Sequence, residues 1–179
     1  FPQVSRHLPF KAATQNINWR DDPVNLEKWQ QGQTGIPIVD AGMRQLLATG
    51  WMHNRVRMIC AMFLTKNLLI DWRIGEQWFM QHLIDGDLAA NNGGWQWCAS
   101  TGTDAAPYFR VFNPISQSQK FDSNGDYIRK WVPELAHLDA QIIHEPYAKD
   151  VSKNLNYPKP IVDLKTSRAR AIEAFKSYL

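Results

Sequence analysis

The sequence is poor in the residues that cross-link small proteins. Its 179 residues include only two cysteines, Cys60 and Cys98, and these form no CxxC or similar pattern. Two isolated thiols are typical of a protein in a reducing cytosol and exclude a disulfide scaffold. The five histidines lack the spacing to cysteine or acidic partners that metal sites show. The sequence therefore predicts neither a disulfide framework nor a metal site.

Two further absences narrow the class of protein. No apolar run approaches the length of a membrane span, so we expect no membrane partner and a cytoplasmic location. The formal net charge is only +3, which permits a nucleic-acid partner without demanding one. Tryptophan is the residue present in excess: the sequence has eight, several-fold above common usage.

Strand patterns are also missing, because no segment convincingly alternates apolar and polar residues. The sequence instead contains helix caps, prolines at first helical positions and apolar residues at helical spacing. They predict helices from Asp22-Pro23 to Gly32, from Pro37 to Gly50, over 52–70 and 75–84, from Asp87 to about Ser100, over 115–121 and 127–131, and from a cap at Thr166 or Ser167 to Leu179. Residues 101–114 and 136–165 have loop compositions. We therefore expect one all-α domain with long irregular loops.

One face of the helix predicted at 52–70 carries Asn54, Arg57 and Met58 together. This pattern fits a transition from surface to core, and it also fits the wall of a ligand pocket. An amide offers a donor and an acceptor to the edge of a ring, and a thioether packs against its face. In a pocket Arg57 needs an acidic partner, because an unpaired buried guanidinium is costly, and either Asp85 or Asp87 can supply it.

Residues 85–97, with the sequence DGDLAANNGGWQW, combine polar groups, glycines and two indoles. This composition suits a planar ligand better than a plain core helix. Asp87, Asn91 and Trp95 follow one another at intervals of four and share one helix face. Two interpretations stay open: a cap, a polar neighbour and a core tryptophan, or a ring-binding face. Trp97 points away from Trp95 and is expected to serve another purpose.

Other aromatic and basic residues are ambiguous by themselves. Nothing in the spacing of Trp19, Trp72 and Trp95 shows that the three form a chain, and each fits ordinary packing. The basic side chains at 55, 110, 120, 129 and 130 can contact phosphates or form a solvated face. The aromatic residues at 97, 108 and 109 favour nucleic acid slightly, because bases stack on aromatic rings.

Longer motifs make the sequence recognisable. They are, in order, GWMHNRVRM at 50–58, LIDWR at 69–73, LIDGDLAANNGGWQW at 83–97, STGTDAAPYFR at 100–110 and FNP at 112–114. Together they resemble the flavin domain of the photolyase/cryptochrome family, from about Trp19 to the end of the chain. The resemblance implies that the all-α fold is the carboxy-terminal part of the helical FAD-binding domain of that family.

The resemblance also implies site residues. FAD would be the cofactor, and the residues around it would be Arg57, Asp85, Gly86, Asp87 and Asn91. Arg57 would pair with Asp85, and Asn91 would lie beside the reactive N5 of the flavin. Electrons would pass between the flavin and the surface along Trp95, Trp72 and Trp19. The cavity for a flipped-out pyrimidine dimer would be lined by Asn54, Met58 and Trp97, and DNA contacts would come from Arg55, Arg110 and Lys120.

The implied activity is light-driven repair of cyclobutane pyrimidine dimers in UV-damaged DNA, by electron transfer from excited reduced FAD. The enzyme would be a carbon–carbon lyase, monomeric, and associated with the nucleoid while bound to DNA. The alternative is a cryptochrome-type blue-light photoreceptor, in which the same tryptophans serve signalling. The side chains of Asn54, Met58, Asn91 and Trp97 favour the bacterial-type, class I cyclobutane-dimer photolyases.

The beginning of the chain departs from the family pattern. The antenna domain and the first part of the helical domain have no counterpart, so we expect residues 1–179 to be a partial FAD-binding domain. An antenna chromophore, such as a folate or a deazaflavin, is expected only in the full-length protein. Because half of the cofactor clamp is missing, we expect the fragment alone to bind FAD weakly and to repair poorly.

Overall fold

The computed structural model describes residues 2–6, 8–148 and 155–178. Within these ranges the α-helices are α1 (Pro2–Arg6), α2 (Pro23–Gln30), α3 (Pro37–Thr49), α4 (Asn54–Met62), α5 (Trp72–His82), α6 (Leu88–Cys98), α7 (Pro114–Phe121), α8 (Asp126–Trp131) and α9 (Leu164–Lys176). A π-helical segment, Phe63–Leu68, continues α4, and 3₁₀ turns occur at Ala12–Asn16 and Pro133–Leu135. These ranges contain no strand, and the all-α prediction is confirmed. None of their helices is long and apolar enough to cross a membrane.

Several predicted helix ends are confirmed by the groups that satisfy the backbone there. The side chain of Asp22 accepts a hydrogen bond from the backbone N of Asn25 (3.2 Å) and begins α2. Gly50 ends α3 with a left-handed backbone (φ 67°), which glycine adopts at little cost. Asp87 begins α6 by accepting from the backbone N of Ala90 (2.8 Å). Local signals in the sequence therefore fix one end each of α2, α3 and α6.

Two predicted helix starts are wrong. α5 begins at Trp72 rather than at Gly75, because the side chain of Asp71 caps it. α9 begins after Asp163, whose side chain accepts from the backbone N of Thr166 (2.7 Å), so neither Thr166 nor Ser167 is the cap. In both cases an aspartate a few residues upstream supplies the cap.

The segment predicted as one helix over 52–70 is divided. It begins at Asn54, after a cap by His53, and its last turn is π-helical, ending where Leu69 adopts a left-handed backbone (φ 58°). Residues 136–148 and 155–163 are largely irregular, as predicted, and 149–154 lie outside the described residues. Helix α1 and the 3₁₀ turn before α2 were not predicted. A π-helical turn interrupts regular packing and often marks a functional position.

The main core forms where α2, α3, α4, α5 and α6 meet. Its largest members are Trp29, Trp72 and Trp95, each at most 2% exposed. The indole N–H of Trp29 donates to the backbone O of Cys60 (3.1 Å), which satisfies its polar atom. Burial raises the pKa of the Cys60 thiol, so this cysteine is an apolar core residue rather than a reactive one.

A buried carboxylate fastens the segment before α9 to the rest of the fold. Asp40 in α3 accepts from the backbone N and Oγ1 of Thr34 (2.7 and 2.6 Å) and from the backbone N of Gly35 (3.0 Å). It also accepts from the hydroxyl of Tyr157. Four donors compensate the cost of burying one carboxylate. The contact with Tyr157 therefore sets where the chain approaches α9.

Helices α5 and α6 approach each other very closely at Gly75. A Cβ atom on Gly75 would lie 2.2 Å from the indole ring of Trp95, a separation that non-bonded atoms do not tolerate. Glycine at this position therefore lets the indole rest on the backbone of α5. By contrast, a Cβ atom on Gly93 or Gly94 of α6 would have no neighbour within 4 Å.

We expect Gly75→Ala to lower the free energy of unfolding by about 1–3 kcal/mol, because the added methyl group displaces Trp95. Gly93→Ala is the matched control, since this glycine also lies inside a helix but faces open space. It should raise stability by roughly 0.5–1 kcal/mol. Urea denaturation followed by tryptophan fluorescence measures both changes. Equal effects of the two substitutions would show that the contact at Gly75 is not tight.

Candidate functional site

Most of the predicted cofactor and lesion residues line one cavity of about 130 Å³. It lies between α4, the end of α5, the turn at 85–87 and α6. The sequence-predicted residues that line it are Asn54, Arg57, Met58, Asp85, Gly86, Asp87, Asn91 and Trp95. The remaining wall is small or apolar and includes Ala61, Phe79 and Leu83. Separate sequence motifs therefore meet at one place.

Arg57 has Asp85 as its acidic partner. Nη2 of Arg57 donates to both carboxylate oxygens of Asp85 (2.9 and 2.8 Å), and Nε donates to the backbone O of Met52 (2.7 Å). The carboxylate is 48% exposed, so the pair adds little stability, and its main effect is positional. It ties the first turn of α4 to the turn before α6. Asp87, the other candidate partner, instead caps α6 and lines the cavity nearby.

Asn91 is held by a residue that sequence reasoning did not single out, Glu76 in α5. Nδ2 of Asn91 donates to the backbone O of Glu76 (2.9 Å) and to its Oε1 (3.0 Å). Among the described residues, Oδ1 of Asn91 has no partner, so it remains an acceptor on a side chain that lines the cavity. Burial raises the pKa of the Glu76 carboxyl, and the hydrogen bond from Asn91 opposes that shift.

The sequence does contain a signal for Glu76. The buried residues of α5 are Trp72, Gly75, Glu76 and Phe79, which follow the i, i+3, i+4, i+7 pattern of one helix face. A lone carboxylate within such a buried stripe needs a polar partner. The identity of the partner depends on how α6 packs against α5, which the stripe alone does not specify.

Trp95 separates the cavity from the core. Its ring lies edge-on to Phe79 (centroids 4.9 Å apart) and to Trp29 (6.1 Å), a contact that the sequence did not predict. Its Nε1 has no hydrogen-bond partner among the described residues. Trp72, which is 1% exposed, lies one turn before Gly75, on which Trp95 rests. Trp95 of α6 therefore rests on the same turn of α5 that carries Trp72.

Trp19 lies at the surface side of α5. The backbone N of Arg20 donates to the backbone O of Leu69 (2.7 Å), which brings this segment beside the start of α5 at Trp72. The Trp19 ring is half-buried and packs edge-on against Phe175 of α9 (5.6 Å). Trp95 and Trp72 are thus both buried, and Trp19, the last in the predicted order, is the most exposed of the three. The electron-transfer role of the three tryptophans stays a prediction.

The predicted DNA-contacting residues lie outside the cavity. Arg55 and Lys120 both lie over the exposed ring of Phe121, 4.6 and 5.3 Å from its centroid. Arg110 is exposed in the loop between α6 and α7. Two cations over one exposed ring form a surface that suits phosphates and stacked bases.

Trp97 does not line the cavity that contains Asn54 and Met58. It is half-buried and lies beside Phe112, with ring centroids 6.4 Å apart. Its position two residues after Trp95 directs it to a different side of α6. The predicted role of Trp97 as a wall for the damaged base therefore stays a prediction.

A larger cleft of about 850 Å³ lies elsewhere, between the start of α3, α7 and the segment leading into α9. Its polar residues include His144, Lys165 and Arg168, and no sequence-predicted site residue lines it. The smaller cavity is the better candidate, because it combines a fixed guanidinium, an oriented amide and an indole on rigid helices.

The residues around the smaller cavity fit a planar cofactor with polar edges. Residues 85–90 are exposed, and Gly93 and Gly94 leave open space, so the cavity opens onto a broad face. The charge of Arg57 suits an electron-rich ring, and the free oxygen of Asn91 suits an N–H group at its edge. The fold and the cavity thus define a helical domain whose cavity, beside an indole, suits a planar cofactor.

The chain belongs to the family described as the FAD binding domain of DNA photolyase, whose model matches residues 1–177. It is 57% identical over 178 residues to the deoxyribodipyrimidine photo-lyase of Escherichia coli strain K12, a match that covers 98% of this chain and 38% of that protein. The resemblance deduced from the motifs is therefore confirmed. The chain spans about two fifths of the length of this relative.

Solved structures show the same fold. A bacterial class III photolyase from Agrobacterium tumefaciens has a TM-score of 0.94 and 48% identity, over 99% of this chain and 38% of that one. A cryptochrome from Synechocystis sp. PCC6803 has a TM-score of 0.84 and 42% identity, over 89% of this chain and 35% of that one. The fold therefore occurs in proteins named for repair and in one named a cryptochrome.

We expect Glu76→Leu to weaken FAD binding by about five- to tenfold, because Asn91 loses one hydrogen bond that orients it. Glu76→Gln is the matched control, since its amide oxygen can still accept from Asn91. Flavin fluorescence during dilution of the FAD-loaded protein measures the dissociation constant for each variant. Identical constants for the leucine and glutamine variants would contradict the orienting role of Glu76.

Proposed function

We propose that this chain is part of a light-driven enzyme that repairs cyclobutane pyrimidine dimers, and that residues 1–179 form part of its FAD-binding domain. The observation that carries the proposal is the meeting of Arg57, Asn91 and Trp95 at one cavity in a member of this family. The E. coli relative, at 57% identity, is named a deoxyribodipyrimidine photo-lyase. The assignment to class I rests on the side chains at the cavity and at Trp97.

Reduced FAD, when bound, would supply the electron that light makes available for splitting the dimer. Arg57 would place a positive charge, partly balanced by Asp85, at the cavity wall and so favour a negatively charged ring. Asn91, held by Glu76, would accept a hydrogen bond at the ring edge. The free carboxylate oxygen of Asp87 would accept from a hydroxyl or N–H group. These side chains bind and orient, and none of them needs to transfer a proton.

Trp95, Trp72 and Trp19 would carry electrons inward from the surface. Indole suits this work because its π system gives up an electron more readily than the other apolar side chains. Their task would be to restore the reduced cofactor, and splitting of the dimer would not depend on them. Photoreduction and repair can therefore be separated by substitution.

We expect Trp95→Phe to slow photoreduction of the FAD-loaded protein by an order of magnitude or more, because phenylalanine is much harder to oxidise than indole. Repair by chemically pre-reduced protein should be largely unchanged. Trp29→Phe is the matched control, since Trp29 also contacts Trp95 but is fully buried and is not a member of the proposed relay. Flavin absorbance under blue light and loss of thymine dimers from oligonucleotides measure the two activities.

Two outcomes would contradict the relay. If Trp95→Phe lowered repair by pre-reduced protein as much as photoreduction, Trp95 would take part in repair itself. If Trp29→Phe slowed photoreduction as much as Trp95→Phe, electrons would pass through Trp29 rather than through Trp72.

The lesion would bind on the open side of the cavity. Asn54 and Met58 line the cavity, and Trp97 would stack against the flipped-out bases. Arg55 and Lys120, over Phe121, would contact the phosphates of the flanking strand. Selectivity for damage would follow from the low cost of extruding a pair that already stacks poorly.

We expect Trp97→Ala to weaken binding of dimer-containing DNA by roughly 5- to 150-fold, since base stacking on an aromatic ring contributes about 1–3 kcal/mol. Binding of undamaged DNA should change little. Trp78→Ala is the control, because Trp78 is also half-buried but packs against His82 of its own helix. Fluorescence anisotropy with matched damaged and undamaged duplexes measures the ratio. An unchanged preference for damaged DNA would refute the assignment of Trp97.

A blue-light photoreceptor is the second candidate, because one structural neighbour is named a cryptochrome. It would use the same tryptophans, and robust photoreduction without loss of dimers would favour it.

For the repair enzyme, we propose a monomer in the cytoplasm that associates with the nucleoid when bound to damaged DNA. The charge of +3 and the cations around Phe121 support a nucleic-acid partner.

A further inference from the structure

Lys66 is a buried lysine that no step described above uses. It is 0% exposed and lies in the π-helical segment that continues α4. Its Nζ donates to Oγ of Ser100 (2.8 Å) and lies 3.4 Å from the ring centroid of Phe175. Within the described residues, no carboxylate forms an ion pair with it. A buried ammonium with only a hydroxyl and a ring as partners is unusual and costly.

The surrounding structure holds Lys66 against Ser100 and Phe175. The π-helical turn places Lys66 against α9, which packs on this segment and contributes Phe175. Ser100 adopts a left-handed backbone (φ 62°), which is rare for a residue other than glycine, and its hydroxyl meets the ammonium. Such strain persists only where the surrounding structure holds it in place.

The ring of Phe175 contacts both Lys66 and Trp19. The Phe175 and Trp19 rings pack edge-on, with centroids 5.6 Å apart and planes at 79°. One aromatic ring thus separates the ammonium from the outermost tryptophan of the proposed relay. At short range and away from water, a single charge acts strongly on any charge that develops nearby.

We propose that Lys66 is a positioning residue that sets, through Phe175, how readily Trp19 gives up an electron, an inference that rests on the proposed relay. In the step concerned, one electron leaves the Trp19 ring for the oxidised Trp72 ring, and Trp19 acquires a positive charge. Protonated Lys66 opposes that charge, and neutral Lys66 does not. Lys66 itself exchanges only a proton with solvent and is neither oxidised nor reduced.

The protonation state of Lys66 changes near neutral pH. Its pKa is lowered to about 7, mainly by burial; a Cys98 thiolate would act in the opposite direction, and the charge of Lys11 acts in the same direction as burial. Burial raises the pKa of Cys98 to about 12, so this thiol stays neutral near pH 7. Lys66 is therefore positively charged below pH 7 and neutral above it. Formation of oxidised Trp19 should become more favourable as pH rises through this value.

Other charged groups near Trp19 belong to the neighbouring segments. Arg20 pairs with Asp22 (2.9 Å), and Arg170 of α9 donates to the backbone O of Asn67, next to Lys66. Glu76 lies on the cavity side, beyond Trp72. These groups remain when Lys66 alone is replaced, so a Lys66 variant separates its titration from theirs.

Transient absorption of the FAD-loaded protein after a light pulse tests the proposal, with the yield of oxidised Trp19 measured from about pH 6 to about pH 9. The wild-type yield should rise severalfold with a midpoint near pH 7. Lys66→Met, which fills the same space without charge, should hold the high-pH yield at every pH. Ser100→Ala removes the hydrogen-bond acceptor of the ammonium and should move the midpoint to lower pH.

A second readout needs neither light nor flavin. Between pH 7 and pH 10.5, Lys66 is protonated in the unfolded chain but largely neutral in the folded protein, because burial lowers its pKa. The unfolded state therefore binds more protons in this range, and the free energy of unfolding should rise with pH. Lys66→Met should remove this part of the slope. Loss of the slope confirms that Lys66 titrates in the folded protein, whatever the fate of the relay.

The outcomes separate this proposal from the relay itself. If Trp19→Phe leaves photoreduction unchanged, the relay is wrong and the inference falls with it. If Trp19→Phe slows photoreduction but Lys66→Met keeps the wild-type pH profile, the relay stands and Lys66 does not control it. Retention of the slope of unfolding free energy in Lys66→Met would show that Lys66 does not titrate near neutral pH, and it would overturn the proposal as well.

Discussion

The contact between Trp95 and Gly75 is the constraint on which the candidate site depends. Because Gly75 has no side chain, α6 can rest an indole directly on the backbone of α5. The same approach brings Asn91, one turn before Trp95, against Glu76, the residue after Gly75. One close contact between two helices therefore sets the cavity wall and the orientation of the amide. It also brings Trp95 next to the turn that carries Trp72.

The other side of the cavity is fixed by a different kind of interaction. Arg57 joins the first turn of α4 to the turn before α6 through Asp85 and the backbone of Met52. This pair is partly exposed and contributes little to stability, but it places a cation at the cavity wall. Tight packing on one side and a charged pair on the other leave a broad opening between them, which suits a planar cofactor.

Local signals in the sequence predicted the helices and part of the site. Asp22 and Asp87 each begin a helix through a side-chain hydrogen bond to the nearby backbone, and Gly50 ends one through its left-handed backbone, so a short window sufficed. The need of Arg57 for an acidic partner was also predictable, because an unpaired guanidinium is costly wherever it is buried. Glu76, Lys66 and the contact of Trp95 with Trp29 depend on how distant helices pack. Gly75 was misread as a helix start, because its role is to admit a ring from another helix.

A crystal structure of the FAD-bound protein tests most directly the claim that this cavity is the cofactor site. We expect the flavin ring to lie between Arg57 and Asn91, with Trp95 at its edge and Gly75 still in contact with the indole. Flavin bound instead in the larger cleft beside His144 and Arg168, away from Trp95, would contradict the account.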